Sequence, residues 1–198
     1  MYETLVRLTI LGILIFWPLI PLFWIPVHLF TGFFKRLGVL TYPLAFILWG
    51  AATWLTLSFK DLLLQALVPV PLAIKGAGWL LFLLGLALHT WTIWLLRARI
   101  IGSGELGLEM AEIETRPPFS LCRHPTYLAH VLIFWGGAVA TGSLALFVVA
   151  AADLLLTLFV IIPIEERELE ARFGERYRTY AKRVPKLIPG ALKRKKFS

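Results

Sequence analysis

The side chains best suited to chemistry sit in two short stretches, Arg123-His124-Pro125-Thr126-Tyr127 and Glu165-Glu166. Pro125 suits the first position of a helix and steers the residue before it away from helical backbone. His124 then lies just ahead of the helix, where free N–H groups favour a carboxylate or phosphate. Tyr127 offers a flat face and a hydroxyl. A pair of carboxylates accepts hydrogen bonds from ribose hydroxyls and attracts a cation. Together these groups suit a ligand with an adenosine, a carboxylate and a positive centre.

The rest of the chain must position them, and its composition says in what medium. Of 198 residues, 59% are hydrophobic and 16% charged, against about 25% charged in an ordinary soluble domain. Mean hydropathy is +0.78. Disorder is excluded, because disordered chains are polar and poor in aromatics. The net charge of +8 is concentrated at one end of an apolar chain, so a nucleic-acid partner is not expected. Cys122 is the single cysteine and no Cys/His set has zinc spacing, so neither a disulfide nor a metal is expected. Arg7, Glu3 and the lack of a small-x-small site mark the first apolar stretch as a retained span.

A helix needs about 20 apolar residues to cross the hydrocarbon. Leu5 to Phe30 is interrupted by Pro18, Pro21 and Pro26, which predicts a kinked or broken first span. Tyr42 to Phe59 and Gly76 to Leu96 are the second and third. The stretch from Asp61 to Ile74 is an interfacial connection. Thr126 to Ile164 is too long for one span, and Thr141-Gly142-Ser143 divides it into an antiparallel pair, Thr126 to Ala140 and Leu144 to Ile164. The expected fold is therefore all-α and integral to the membrane, with five transmembrane helices. Five spans put 17 of the 20 Lys and Arg residues on one face, and the excess of basic residues marks that face as cytoplasmic.

The last two spans form a hairpin, so its two open ends should meet on the cytoplasmic side. That brings Arg123, His124, Tyr127 and the Glu165-Glu166 pair together. Beyond the hairpin, Leu169, Phe173, Tyr177, Tyr180 and Val184 form one apolar stripe, which predicts a C-terminal cytoplasmic amphipathic helix with Gly174 inside it. One unit is expected: spans over 1–75, a catalytic core over 76–190 and a basic tail over 191–198.

In this order and spacing, Arg123-His124-Pro125-Thr126-Tyr127, Glu165-Glu166, Phe173-Gly174-Glu175-Arg176-Tyr177-Arg178-Thr179-Tyr180 and Val184-Pro185 resemble the isoprenylcysteine carboxyl methyltransferase and phospholipid methyltransferase superfamily. The resemblance covers roughly the C-terminal half, from Gly78 onward. It implies S-adenosylmethionine as cofactor, held by His124, Pro125, Thr126, Tyr127, Glu165 and Glu166. It also implies a lipid-like or prenylated substrate that enters from the bilayer. By position, Phe119 stands where the family carries a tyrosine, and Glu112 and Ile113 precede the motif as further cofactor contacts. Arg123 and Glu166 are the catalytic candidates. Where prenylcysteine enzymes carry an arginine before the Glu pair, this chain has Ile161-Ile162-Pro163-Ile164. That departure bears on the acceptor and leaves methyl transfer untouched.

Two other functions fit the same pattern. One is a membrane reductase of the sterol-reductase type using NADPH. The other is a non-enzymatic membrane scaffold. Asp153, His89 and His130 lie within spans. An intramembrane carboxylate is a functional candidate by default, and a structural partner such as Thr157 or a neutral, protonated state is the alternative for Asp153.

Overall fold

The computed structural model describes residues 1–96 and 113–190. Among these, the fold is all-helical, with one isolated antiparallel bridge between Leu67 and Ser143. The elements are α1 (Tyr2–Phe16), α2 (Ile25–Leu29), α3 (Thr31–Leu37), α4 (Thr41–Ser58), α5 (Lys60–Gln65), α6 (Leu72–Leu96), α7 (Pro125–Thr141), α8 (Leu144–Leu156), α9 (Ile162–Phe173) and α10 (Glu175–Arg183). Four helical stretches are long and apolar enough to cross a membrane: Tyr2–Leu29, Gly38–Ser58, Leu72–Leu96 and Leu144–Phe173. The α7 helix has 17 residues and is not one of the four. Large apolar side chains such as Phe46, Trp54, Leu83, Trp94 and Phe159 point outward, as they do where the surroundings are lipid rather than water. The chain is a multi-pass membrane protein.

The prolines of the first span do not break it. A π-helical turn over Ile20–Trp24 links α1 to α2. A wider turn absorbs proline rings that would clash with the carbonyl four residues back in a regular helix. A second π-helical turn, Thr157–Ile161, joins α8 to α9.

The α6 and α7 helices pack closely because three glycines let their backbones approach. A Cβ on Gly136 would meet the Phe82 nitrogen at 2.5 Å, and one on Gly78 would meet the Ala140 nitrogen at 2.5 Å. A Cβ on Gly85 would meet the Ile133 nitrogen at 2.8 Å. Without a hydrophobic drive between helices in lipid, such contact is what holds them together. The main core lies beside this seam, where Ile10, Ile13 and Leu14 of α1 meet Ile133, Phe134 and Ala138 of α7 and Leu146, Val149 and Ala150 of α8.

The expected turn between the paired helices is present. Gly142 closes α7 at φ +74°, and the Ser143 side chain accepts from the Leu146 nitrogen at 3.4 Å to cap α8. The segment before α6 braces this turn: Val68 N–H donates to the Gly142 carbonyl at 2.8 Å and Leu144 N–H to the Ala66 carbonyl at 2.9 Å. The expected connection from Asp61 to Ile74 is thus part helix, part extended brace, and α6 starts at Leu72 rather than Gly76.

Two expectations need correction. Gly174 does not lie inside a single tail helix. It adopts φ +55° and separates α9 from α10, because positive φ, which glycine alone adopts at no steric cost, turns the chain. Asp153 is buried with Trp17, not Thr157: the Trp17 indole donates to it at 3.3 Å, while the Thr157 hydroxyl has no hydrogen-bond partner among the described residues.

Candidate functional site

Pro125 begins α7 and leaves His124 outside the helix at φ −122° and ψ 60°. This non-helical backbone frees two amide groups, and the tail takes them up. Arg123 N–H donates to the Pro185 carbonyl at 2.8 Å and His124 N–H to the Lys186 carbonyl at 3.0 Å. The Arg123 guanidinium then reaches across. Its Nη1 donates to the carbonyls of Ala181 at 2.6 Å and Val184 at 2.9 Å, and its Nε donates to Glu166 Oε1 at 3.1 Å. A second guanidinium nitrogen also pairs with Glu166. Lys186 Nζ holds the other Glu166 oxygen at 2.9 Å.

The Glu165-Glu166 pair lies on α9, which continues the last span without interruption. Both carboxylates face His124: its Nε2 is 3.4 Å from Glu166 Oε1 and its Nδ1 is 3.4 Å from Glu165 Oε2. The His124 side chain is 2% exposed. Burial opposes a charge on it, but Glu165 and Glu166 outweigh that cost and raise its pKa. Glu165 Oε2 is shut off from solvent and receives no well-directed hydrogen bond. Tyr127 is buried, its ring centroid 5.8 Å from that of His124, and its hydroxyl faces Glu165. Burial pushes the adjacent Cys122 thiol up to about 11, which keeps it un-ionised.

The structure therefore brings together Arg123, His124, Pro125, Tyr127, Glu165 and Glu166, with Thr126 half-buried on the first turn of α7. Phe119 is fastened to the tail: its carbonyl accepts from the Tyr180 hydroxyl at 2.6 Å. Ile113 is the first described residue before this segment, and Glu112 lies outside the described residues.

Several partners were not visible in the motif. From the first span, Trp24 Nε1 donates to the Tyr127 hydroxyl at 3.1 Å, and His28 Nδ1 lies 2.8 Å from Glu168 Oε2. The signal in the sequence was their spacing: Trp24 and His28 are one helical turn apart and stack at 4.5 Å. Lys186 is the third addition, from the tail.

The described residues thus form a helical membrane protein whose last hairpin closes on an Arg–His–Glu–Glu joint. The phospholipid methyltransferase family model matches residues 74–176, and the chain belongs to that family. Among curated relatives, methanethiol S-methyltransferase 1 of Bradyrhizobium diazoefficiens is 32% identical over 123 residues, 59% of this chain and 40% of the relative. Methanethiol S-methyltransferase 2 of the same organism is 35% identical over 92 residues, 46% of this chain and 34% of the relative. The cobalt-zinc-cadmium resistance protein CzcN of Cupriavidus metallidurans is 31% identical over 152 residues, 76% of this chain and 60% of the relative. The matches thus span between 34% and 60% of these proteins' own length. No solved structure matches.

Proposed function

We propose that the chain is a five-span enzyme that transfers a methyl group from S-adenosylmethionine to an acceptor reached from the bilayer, with its site and C-terminus in the cytoplasm and its catalytic core over 76–190. The observation that carries this reading is the meeting of Arg123, His124, Glu165 and Glu166 at one end of the hairpin. The donor set fits the cofactor. Glu165 Oε2 is shut off from solvent with only the loose contact to His124 Nδ1 at 3.4 Å, so it can take a further hydroxyl or a cation, since a poorly met buried acceptor is costly.

Glu165 and Glu166 would hold the ribose and the positive centre, with His124, Pro125, Thr126 and Tyr127 along the turn. Phe119, Ile113 and Glu112 would contribute from the preceding segment. When bound, S-adenosylmethionine supplies an electrophilic methyl group. Arg123 acts by fixing Glu166 and the tail, so we assign it a positioning role. Glu166 or His124 takes the proton of an amine acceptor, whereas a carboxylate acceptor needs no base. Orientation and exclusion of water supply most of the rate, because the groups are fixed before reaction.

For the acceptor, a lipid-like group of phospholipid or isoprenylcysteine type accords with a site at the end of membrane-spanning helices. A small thiol is the second reading, favoured by relatives named as methanethiol S-methyltransferases. The test is calorimetry of the purified full chain with S-adenosylhomocysteine and with NADPH. It is followed by labelled-methyl transfer into a total lipid extract and into methanethiol. Micromolar binding of S-adenosylhomocysteine supports the proposal. Preference for NADPH supports a reductase, and binding of neither supports a scaffold.

A further inference from the structure

Glu166 is already taken up by cations of its own chain. Arg123 and His124 crowd its Oε1, and the Lys186 ammonium holds its Oε2 at 2.9 Å. Glu165 and Glu166 bring two negative charges to the joint, and Arg123 and Lys186 bring two positive ones. These four charges cancel, even before His124 takes a proton. A balanced joint offers a positive ligand no net attraction. Such a ligand is drawn to Glu166 only when a resident cation gives way.

The three neighbours of Glu166 are held with unequal firmness. The Arg123 side chain is 8% exposed and also donates to the Ala181 and Val184 carbonyls. His124 is walled in on every side. The Lys186 side chain is 57% exposed, and Glu166 is the one partner of its ammonium among the described residues. The backbone around Lys186 is anchored. Its carbonyl accepts from His124 N–H at 3.0 Å, the Pro185 carbonyl accepts from Arg123 N–H at 2.8 Å, and Leu187 packs on the cluster of Tyr127, Ile161 and Ile162. Displacement therefore falls on the Lys186 side chain alone. It swings into water at the small cost of breaking an exposed pair, while the tail stays in place. The family match over 74–176 ends before Lys186, so the match assigns it no role.

We propose that Lys186 is an internal competitor at Glu166: its ammonium balances the carboxylate until a sulfonium takes its place, and it thereby sets how strongly the site prefers a cationic ligand to its neutral counterpart. This rests on the cofactor reading above. S-adenosylmethionine carries the sulfonium and S-adenosylhomocysteine has a neutral thioether there. The two share their adenosine and amino-acid ends, so the ratio of their affinities isolates the charge at sulfur.

Calorimetry of the full chain in detergent measures both affinities for the parent, Lys186→Met and Lys186→Arg. Lys186→Met keeps the apolar stem and deletes the charge, and should move the ratio about fivefold toward S-adenosylmethionine, the upper end for a solvent-exposed pair. Lys186→Arg restores the charge and should hold the ratio within about twofold of the parent. A second reading needs no variant. Acetylation of Lys186 by an amine-reactive ester, followed by mass spectrometry, should speed up with S-adenosylmethionine and not with S-adenosylhomocysteine. An unchanged ratio in Lys186→Met overturns the proposal, as does acetylation that S-adenosylmethionine leaves unchanged or slows. Equal weakening of both ligands in Lys186→Met also overturns it, because Lys186 would then hold the carboxylate that the two share. In these cases the ligands still bind and the cofactor reading stands. Failure of both ligands to bind any of the three proteins removes the cofactor reading itself, and the competition with it.

Discussion

The seam between α6 and α7 and the joint between Arg123 and Glu166 hold α7 to its two neighbours in opposite ways. At the seam, the deciding feature is side chain that is absent: Gly78, Gly85 and Gly136 admit a neighbouring backbone where a Cβ would collide. At the joint, the deciding feature is side chain that is present and charged, with Glu166 shared by Arg123, His124 and Lys186. The seam should fail by addition and the joint by removal. The seam gives the helices their separation in lipid. The joint closes a polar site where the start of α7 meets α9, and a ligand can compete there for the same charges.

The largest effect should come from the joint. Arg123→Ala removes the main cation on Glu166 and frees the Ala181 and Val184 carbonyls. Stability should fall by about 3 kcal/mol, the scale for breaking a buried pair by deleting one partner. Thermal unfolding in detergent measures it, and a loss near zero would mean that the joint is ornamental. Next in size is the seam. Gly136→Ala places a Cβ against the Phe82 nitrogen and should cost about 1–3 kcal/mol, whereas Gly12→Ala, with open space around it, should cost nothing comparable. Equal shifts in the two variants would contradict the seam argument.

The joint was legible in the sequence, whereas the glycine seam was not. Thr141-Gly142-Ser143 announced the turn because glycine flanked by small polar residues favours positive φ, and Gly142 takes it. The turn in turn forces the ends of the hairpin together, so the meeting of His124 with Glu165 followed from topology. What sequence did not reveal was contact across long separations. The Trp24 indole reaches Tyr127 across 103 residues, and no local pattern encodes which helix a first span packs against. The π-helical turns were hidden for a related reason. Prolines in a span predict a kink, but whether the chain breaks or widens depends on neighbouring helices. Gly174 looked compatible with a continuous apolar stripe, yet its backbone conformation ends one helix and begins another. Leu169 and Tyr177 nevertheless keep helical spacing on either side, which is why the stripe read as one.

Smaller effects sharpen the comparison further. Trp24→Phe keeps an aromatic ring and deletes the bond to Tyr127, which should cost about 1 kcal/mol and no more than a modest change in cofactor affinity. His124 sets a pH dependence. Its folded-state pKa is raised by its two carboxylates despite burial. Its contribution is therefore fully present below its unfolded value of about 6.5 and is lost as pH rises through the raised folded value. Melting temperature should fall over that interval, and His124→Gln should flatten the profile. A fall of equal size in the variant would assign the titration to another group. At the low end, the exposed pair between Arg178 and Glu170 should contribute nothing measurable to the melting temperature, since solvent screens it.

The most direct measurement is calorimetric titration of S-adenosylhomocysteine into the full chain and into Glu165→Gln and His124→Ala, each checked for folding in detergent. Micromolar affinity in the parent chain, weakened about tenfold or more in either variant, is the predicted result. No binding by the parent chain, or equal binding by all three proteins, would contradict the assignment of the cofactor to this joint.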